Sequence, residues 1–213
     1  MYQFPNIILN VFAKAPVLGT VKTRMQPIHP QVFSLALHCS LVDYCLTTWQ
    51  ASAICPVELW LAGDQSLFEE KLPQWHKLPI NAQQGQDLGA RLLSSLTSSF
   101  EKDNTQGVLL VGTDCPFIDS SYLTTACEAM LEHDVVIGAA EDGGYVLLGL
   151  KQAIPELFDN IDWGSDQVFA QTLSVIQNKG LSYFELPALN DIDRPEDLKS
   201  LKGIEAFAAY AQA

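Results

Sequence analysis

A chain of 213 residues that is 48% hydrophobic and 17% charged can bury a sizeable core and fits one α/β domain over 1–213, two small lobes being the alternative. Its net charge of −13 argues against DNA or RNA as a partner, because neutralising a phosphate backbone needs a basic face. The N-terminal apolar run 7–13 is too short to span a membrane and lacks a basic leader, and the five cysteines are odd in number without C-x-x-C spacing, so a soluble cytoplasmic protein with reduced, buried thiols is expected.

In chain order, Asn6–Phe12 is a β-branched, apolar run of strand length, followed by the loop Ala13–Arg24. Three of the twelve Lys and Arg residues, Lys14, Lys22 and Arg24, fall within this loop, and the next, Lys71, is far downstream. In so acidic a chain the concentration reads as an anion site, with Gly19 and Thr23 in a turn whose backbone N–H groups approach a phosphate, or as a solvated basic loop. Neither a Walker A sequence nor Gly-x-Gly-x-x-Gly is present, which disfavours P-loop and classical dinucleotide folds. From Pro30 apolar residues recur at three and four through Trp49, predicting an amphipathic helix in which His38 is structural. Pro56–Leu61 reads as a strand, and Asp64 as the cap of a short helix ending near Lys71.

The stretch Asn81–Arg91 is polar and bears glycines before a helix with Leu88, Leu92, Leu93 and Leu96 on its buried side. Gln83 or Gln84 can pair with a nucleobase edge, and Gly85 and Gly89 let a flat base approach the backbone; an ordinary loop with Asp87 as N-cap accounts for the same residues. The run Gly107–Val111 predicts a buried central strand that delivers Asp114 to its carboxyl end, just before Pro116. That edge is where open α/β sheets place ligands, so Asp114 reads as a carboxylate for a phosphate-bound divalent cation or as a turn residue.

A capped helix over 119–131 and a strand over 134–138 lead to Glu141-Asp142-Gly143-Gly144-Tyr145, read either as a ligand loop or as a hairpin turn. Trp163 either lines an acceptor pocket or packs, and Ser165 is expected to cap a helix reaching about Asn178. After a last strand at 181–186, the segment 190–198 holds Asp191, Asp193, Glu196 and Asp197, more acids than capping needs, with Pro195 suited to a first helical turn. A second metal carboxylate can come from here. The alternation predicts a three-layer α/β/α sandwich with a mostly parallel central sheet.

Six motifs in order, Lys14-Ala-Pro with Gly19-x-Val-Lys-Thr-Arg24, Gln84-Gly-x-Asp-Leu-Gly-x-Arg91, Gly112-Thr-Asp-Cys-Pro116, Glu141-Asp-Gly-Gly-Tyr145, Asp162-Trp-Gly-Ser165 and Asp191-Ile-Asp-x-Pro-Glu-Asp-Leu198, span essentially the whole chain. Together they resemble a bacterial family of short glycosyltransferase-like proteins, often associated with radical-SAM enzymes. That family belongs to the nucleotide-diphospho-sugar transferase superfamily of GT-A fold, alongside molybdenum-cofactor and phospholactate guanylyltransferases. The resemblance implies that Lys14, Gly19, Lys22, Thr23 and Arg24 form the donor phosphate site and that Gln84, Gly85, Asp87 and Gly89 form the base site. It further implies Asp114 and Asp193 as ligands of Mg²⁺ or Mn²⁺. Thr20, where the family commonly has a basic residue, and Ser165, where Thr is usual, depart from the pattern.

The chemistry expected is metal-assisted transfer from a nucleotide-activated donor. In glycosyl transfer from a nucleoside-diphosphate sugar to a small-molecule acceptor, Lys22 and Arg24 stabilise the leaving charge and Asp142 takes the acceptor proton, with Gly143, Gly144, Tyr145 and Trp163 on the acceptor side. In the alternative, nucleotidyl transfer from a triphosphate to an ionised phosphate, pyrophosphate leaves and no base is required. A non-catalytic nucleotide-binding regulatory domain is the third reading. Nothing in the sequence bears on oligomeric state.

Overall fold

The computed structural model describes residues 1–212. Seven runs form strands: β1 (Ile7–Lys14), β2 (Val57–Ala62), β3 (Ile80–Ala82), β4 (Gly107–Gly112), β5 (Val135–Ala140), β6 (Tyr145–Leu150) and β7 (Tyr183–Leu189). They make one sheet in the order β3-β2-β1-β4-β6-β5-β7. All pairings are parallel except those of β6, which runs antiparallel between β4 and β5. That one reversal is encoded locally. Gly143 takes φ +91°, and Ala140 N–H donates to the Gly144 carbonyl at 3.0 Å, closing a hairpin.

Among the described residues five α-helices complete the layers: α1 (Gln31–Ser52), α2 (Gln65–Lys71), α3 (Leu88–Phe100), α4 (Ser120–Glu132) and α5 (Val168–Asn178). Successive strand residues point to opposite faces, so the central strands feed two cores. Leu9, Val11, Leu109 and Val111 pack with Val42 and Trp49 of α1, Phe68 of α2 and Leu123 of α4. On the other face Val108, Leu110, Ile137 and Leu148 pack with Leu92 and Leu96 of α3 and Ile176 of α5. The expected three-layer α/β/α sandwich with a mostly parallel sheet is therefore what forms.

Helix α1 departs from the single apolar stripe that its periodicity suggests. Val42, Cys45, Leu46 and Trp49 face the sheet, while Leu37 and Leu41 face a third cluster with Met25, Ile192, Leu198 and Phe207. The C-terminal segment thus wraps back over α1, and this brings Ile192 and its flanking acids to the site.

Asp64, Asp87 and Asp119 cap α2, α3 and α4, each accepting from a backbone N–H at 2.8 Å. Two local expectations are corrected. The strand β3 is too short to register as a period and lies within what reads as loop. Helix α5 begins at Val168 rather than Ser165, whose hydroxyl instead donates to the Asp162 carbonyl at 2.7 Å and closes a turn. Pro195 does open a helical turn as expected, at the start of a 3-10 helix running to Leu201. Cysteines 39, 45, 55, 115 and 127 are all free thiols, four of them buried. Burial pushes the Cys115 thiol up to about 12, which leaves it unreactive.

One polar bridge crosses the second core. Asn10 on β1 is fully buried and donates to Ser99 Oγ at 2.9 Å, while Ser99 Oγ donates back to Asn10 Oδ1 at 3.2 Å. Ser99→Ala leaves part of a buried amide without a partner and is expected to cost about 1–3 kcal/mol, or roughly 2–4 °C of Tm per kcal/mol. Thermal denaturation followed by circular dichroism reads the shift; an unchanged Tm would mean that Asn10 is satisfied elsewhere.

Candidate functional site

A cleft of ≈ 530 Å³ opens at the carboxyl edge of the sheet, lined by the end of β1, the loop Thr20–Arg24, His38, Gln83, Leu88, Arg91, Gly112–Asp114 and Asp193. It sits where β1 borders β4 on one side and β2 on the other, the switch point at which open α/β sheets bind ligands.

The loop after β1 is pinned by buried Val21 and Met25. Between them Lys22 adopts a left-handed conformation (φ 48°, ψ 44°), which costs about 1–3 kcal/mol for a residue with a side chain. Polar contacts hold it there. Lys22 Nζ lies 2.8 Å from Asp114 Oδ1 and also donates to the Ile192 carbonyl. Ile192 N–H in turn donates to the Asp114 carbonyl at 2.8 Å. These bonds tie the loops after β1, β4 and β7 into one unit. The Lys22 side chain is only 2% exposed, whereas that of Asp114 is 46% exposed. Burial opposes ionisation of Asp114, but the Lys22 charge and hydrogen bond outweigh it and hold the carboxyl below its ordinary value.

A second cation–carboxylate pair lies at the rim, where Arg24 Nη1 meets Asp193 Oδ2 at 2.6 Å. Asp197 supports it from behind, its Oδ2 accepting from the N–H groups of Asp193 at 3.0 Å and Arg194 at 2.6 Å. Asp191 is half-buried beside them. Burial, then the charges of Asp142, Asp114 and Asp193, push its carboxyl up to about 6. Asp191 thus feels the charges of three other carboxylates as well as that of Lys22.

His38 is buried, and its Nε2 lies 2.9 Å from the Lys14 carbonyl. A carbonyl only accepts, so the ring proton belongs on Nε2. Burial lowers the His38 pKa and keeps the ring neutral. Gln83 is fixed in a comparable way. Its Nε2 donates to the carbonyls of Ala13 at 3.1 Å and Trp60 at 2.9 Å, which orients Oε1 as an acceptor.

The structure brings Lys14, Lys22, Thr23, Arg24, Asp114 and Asp193 to a single cleft. Gly19, at φ +80°, forms the turn between Lys14 and Lys22, and a Cβ there would face Gln31. The assignment at the base loop shifts. Gln84, Gly85, Asp87 and Gly89 do not line the cleft, whereas Gln83, Leu88 and Arg91 do. Asp87 is occupied as a cap, Gly85 packs against the backbone of Ala90 and Arg91, and a Cβ on Gly89 would stand 2.8 Å from Trp163 Nε1. Leu88, read as buried, is 44% exposed and offers an apolar wall.

The acceptor-side residues are also placed elsewhere than in this cleft. Exposed Asp142 accepts from Gly144 N–H at 3.0 Å and meets the site through its charge on Asp191. Tyr145 and Trp163 pack edge to face at 6.4 Å, so Trp163 is a packing residue that fills the space above Gly89. Gly143 abuts Asp166. Among the described residues no three His, Cys, Asp or Glu side chains stand close enough together to enclose a metal ion.

Residues 45–165 match the model of a protein family described as "Uncharacterized protein conserved in bacteria" (DUF2064). The chain belongs to this family. A 2-phospho-L-lactate guanylyltransferase of Methanocaldococcus vulcanius is 26% identical over 133 residues, a match that takes in 61% of the chain and 59% of that relative's length. The crystal structure of a candidate nucleotide-diphospho-sugar transferase from Desulfovibrio desulfuricans G20 superposes with a TM-score of 0.87 at 25% identity, covering 98% of this chain and 94% of that one. Rv0371c from Mycobacterium tuberculosis H37Rv, solved in complex with manganese, has a TM-score of 0.58 at 11% identity, over 98% of this chain and 99% of its own. The last shows shared fold alone. The family model's span takes in Gln83, Leu88, Arg91 and Asp114, while the basic loop and Asp193 lie outside it. No helix among the described residues is long and apolar enough to cross a membrane.

Proposed function

We propose that this chain is a metal-assisted transferase that uses a nucleotide-activated donor, with glycosyl transfer from a nucleoside-diphosphate sugar to a small-molecule acceptor as its reaction. The observation that carries the reading is the meeting of Lys14, Lys22 and Arg24 with Asp114 and Asp193 in one cleft at the switch point of the sheet. Cations and carboxylates held side by side suit a donor that arrives as phosphate plus cation. Leu88 and the fixed Gln83 Oε1 at the same cleft suit an aromatic base with a hydrogen-bond donor on its edge.

The donor set fits Mg²⁺ or Mn²⁺. Asp114 and Asp193 offer hard oxygen ligands, and Mg²⁺ is commonly held by one or two carboxylates with substrate phosphates completing the shell. Asp114 and Asp193 would hold the ion, and the ion would supply charge neutralisation at the donor phosphates. Lys22, already lacking one charge partner once a phosphate draws it away, stabilises the leaving diphosphate with Arg24. Asp142, which lies outside the cleft lining but whose charge reaches Asp191, receives the acceptor proton. The near full-length likeness to the candidate nucleotide-diphospho-sugar transferase supports the sugar donor.

Nucleotidyl transfer is the second reading, favoured by the guanylyltransferase match and by the engagement of Asp142 in its own turn, since that chemistry needs no base. The products separate the two. With Mg²⁺ present, the first predicts slow release of nucleoside diphosphate from one of a panel of nucleotide sugars, water serving as acceptor, while the second predicts pyrophosphate from a triphosphate. Thermal stabilisation by neither class of donor, even at millimolar concentration, would overturn both.

A further inference from the structure

The two carboxylates suited to a cation are both already matched to a cation of the protein, and both of those cations come from one short loop. Lys22 Nζ sits 2.8 Å from Asp114 Oδ1, and Arg24 Nη1 sits 2.6 Å from Asp193 Oδ2. From this geometry we infer that Lys22 and Arg24 act as a latch on the cation site. In the absence of nucleotide they occupy Asp114 and Asp193 and exclude a divalent ion; phosphates draw them off and expose the carboxylates. The inference rests on the reading of the cleft as a site for nucleotide and metal.

The latch is electrostatic. A dication approaching Asp114 alone meets an ammonium within contact distance of the same oxygen, in a place where the Lys22 side chain is 2% exposed and poorly screened. A phosphate approaching Lys22 and Arg24 alone meets Asp114 and Asp193, and Asp191, which feels the charges of both, adds to the repulsion. Each ligand by itself therefore faces repulsion from the partner of the group it seeks. Arriving together they exchange partners, carboxylate to metal and cation to phosphate, and no charge is left unmatched. The loop geometry supports such an exchange. Lys22 holds a strained left-handed backbone for the sake of these contacts, and Arg24 stands at the rim with its side chain 47% exposed and free to swing.

The latch makes metal and nucleotide binding reciprocally coupled, with coupling typically 5–150-fold in such systems. It also yields a consequence that a merely phosphate-binding role for these side chains lacks: deleting a cation should improve metal binding by nucleotide-free protein. Free Mn²⁺ is measured by electron paramagnetic resonance during titration of wild type, Lys22→Met, Arg24→Met and Lys22→Met/Asp114→Asn. We expect Lys22→Met to bind Mn²⁺ about tenfold or more tightly than wild type, Arg24→Met to show a smaller gain in the same direction, and the double variant to lose the gain. Arg24 is exposed enough that its variant folds whatever befalls Lys22→Met. Gains that Asp114→Asn removes support the latch. Equal Mn²⁺ affinity in wild type and both single variants overturns it, as does a gain that survives Asp114→Asn. A wild type that binds Mg²⁺-nucleotide while the single variants show no gain refutes the latch and leaves the proposed function standing; a gain in the variants with no nucleotide bound to wild type does the reverse.

Discussion

Asp114→Ala is expected to lower nucleotide-dependent turnover by about 100-fold or more and, unusually for a residue on the lip of a cleft, to destabilise the fold. The reason is the unequal burial of its ion pair. Lys22 is the buried partner, its side chain 2% exposed, and Asp114 the solvated one at 46%. Removing Asp114 strands an ammonium with only the Ile192 carbonyl for company. A fully buried pair broken in this way loses about 3–5 kcal/mol; the exposure of Asp114 and the remaining carbonyl bring the expected loss to about 1–3 kcal/mol. Lys22→Met removes the buried charge itself and leaves a carboxylate that water can reach, so its stability should stay within about 1 kcal/mol of wild type although turnover is lost. Urea denaturation of both variants gives the order. If Lys22→Met proved the less stable, the Ile192 contact rather than the Asp114 charge would be what joins the three loops.

The contrast between these two residues shows what can and cannot be read along a chain. The concentration of Lys14, Lys22 and Arg24 is visible in one dimension, as is the strand that ends before Asp114, because both are local patterns of charge and hydrophobicity. So are the caps at Asp64, Asp87 and Asp119. Pairings that depend on strand order are not. Lys22 meets Ile192, 170 residues away, only because the C-terminal segment returns across α1, and no periodicity encodes that path. His38 looks structural on its helix, and it is buried, yet its place beneath Lys14 puts it in the cleft wall.

The base loop shows a different limit. A glycine beside polar residues reads equally as room for a ligand or as room for the protein. At Gly89 the occupant is Trp163, a side chain whose approach depends on the packing of the segment before α5. Leu88 is the first residue of α3, where the helical stripe predicts burial, but there it lines the cleft and stays 44% exposed. Gln83 carried a signal in being one of two adjacent amides; only the carbonyls of Ala13 and Trp60 single it out.

The same ambiguity at the hairpin turn leads to the second large effect, Gly143→Ala. Two costs coincide there. The backbone has φ +91°, and a Cβ would lie 2.2 Å from the Asp166 carbonyl oxygen and 2.6 Å from its Cα. Neither atom is the yielding end of a side chain. Both belong to the segment entering α5, which is fastened to the turn by the Phe169 N–H donating to the Gly143 carbonyl at 2.9 Å. Conformational strain and overpacking together should cost about 2–5 kcal/mol. Two neighbouring glycines isolate the components. Gly164→Ala has φ +85° but no atom within 4 Å of the new methyl, so it should cost about 1–2 kcal/mol from strain alone. Gly144→Ala has no positive φ, and its nearest neighbour is the Asp142 side chain at 3.2 Å, which can turn aside; a loss below about 1 kcal/mol is expected. Differential scanning calorimetry of the three gives the comparison. A Gly143→Ala loss no greater than that of Gly164→Ala would mean that residues 165–169 yield to the methyl. The turn would then hold Asp142 in place by its own hydrogen bonds and not by its seat against α5.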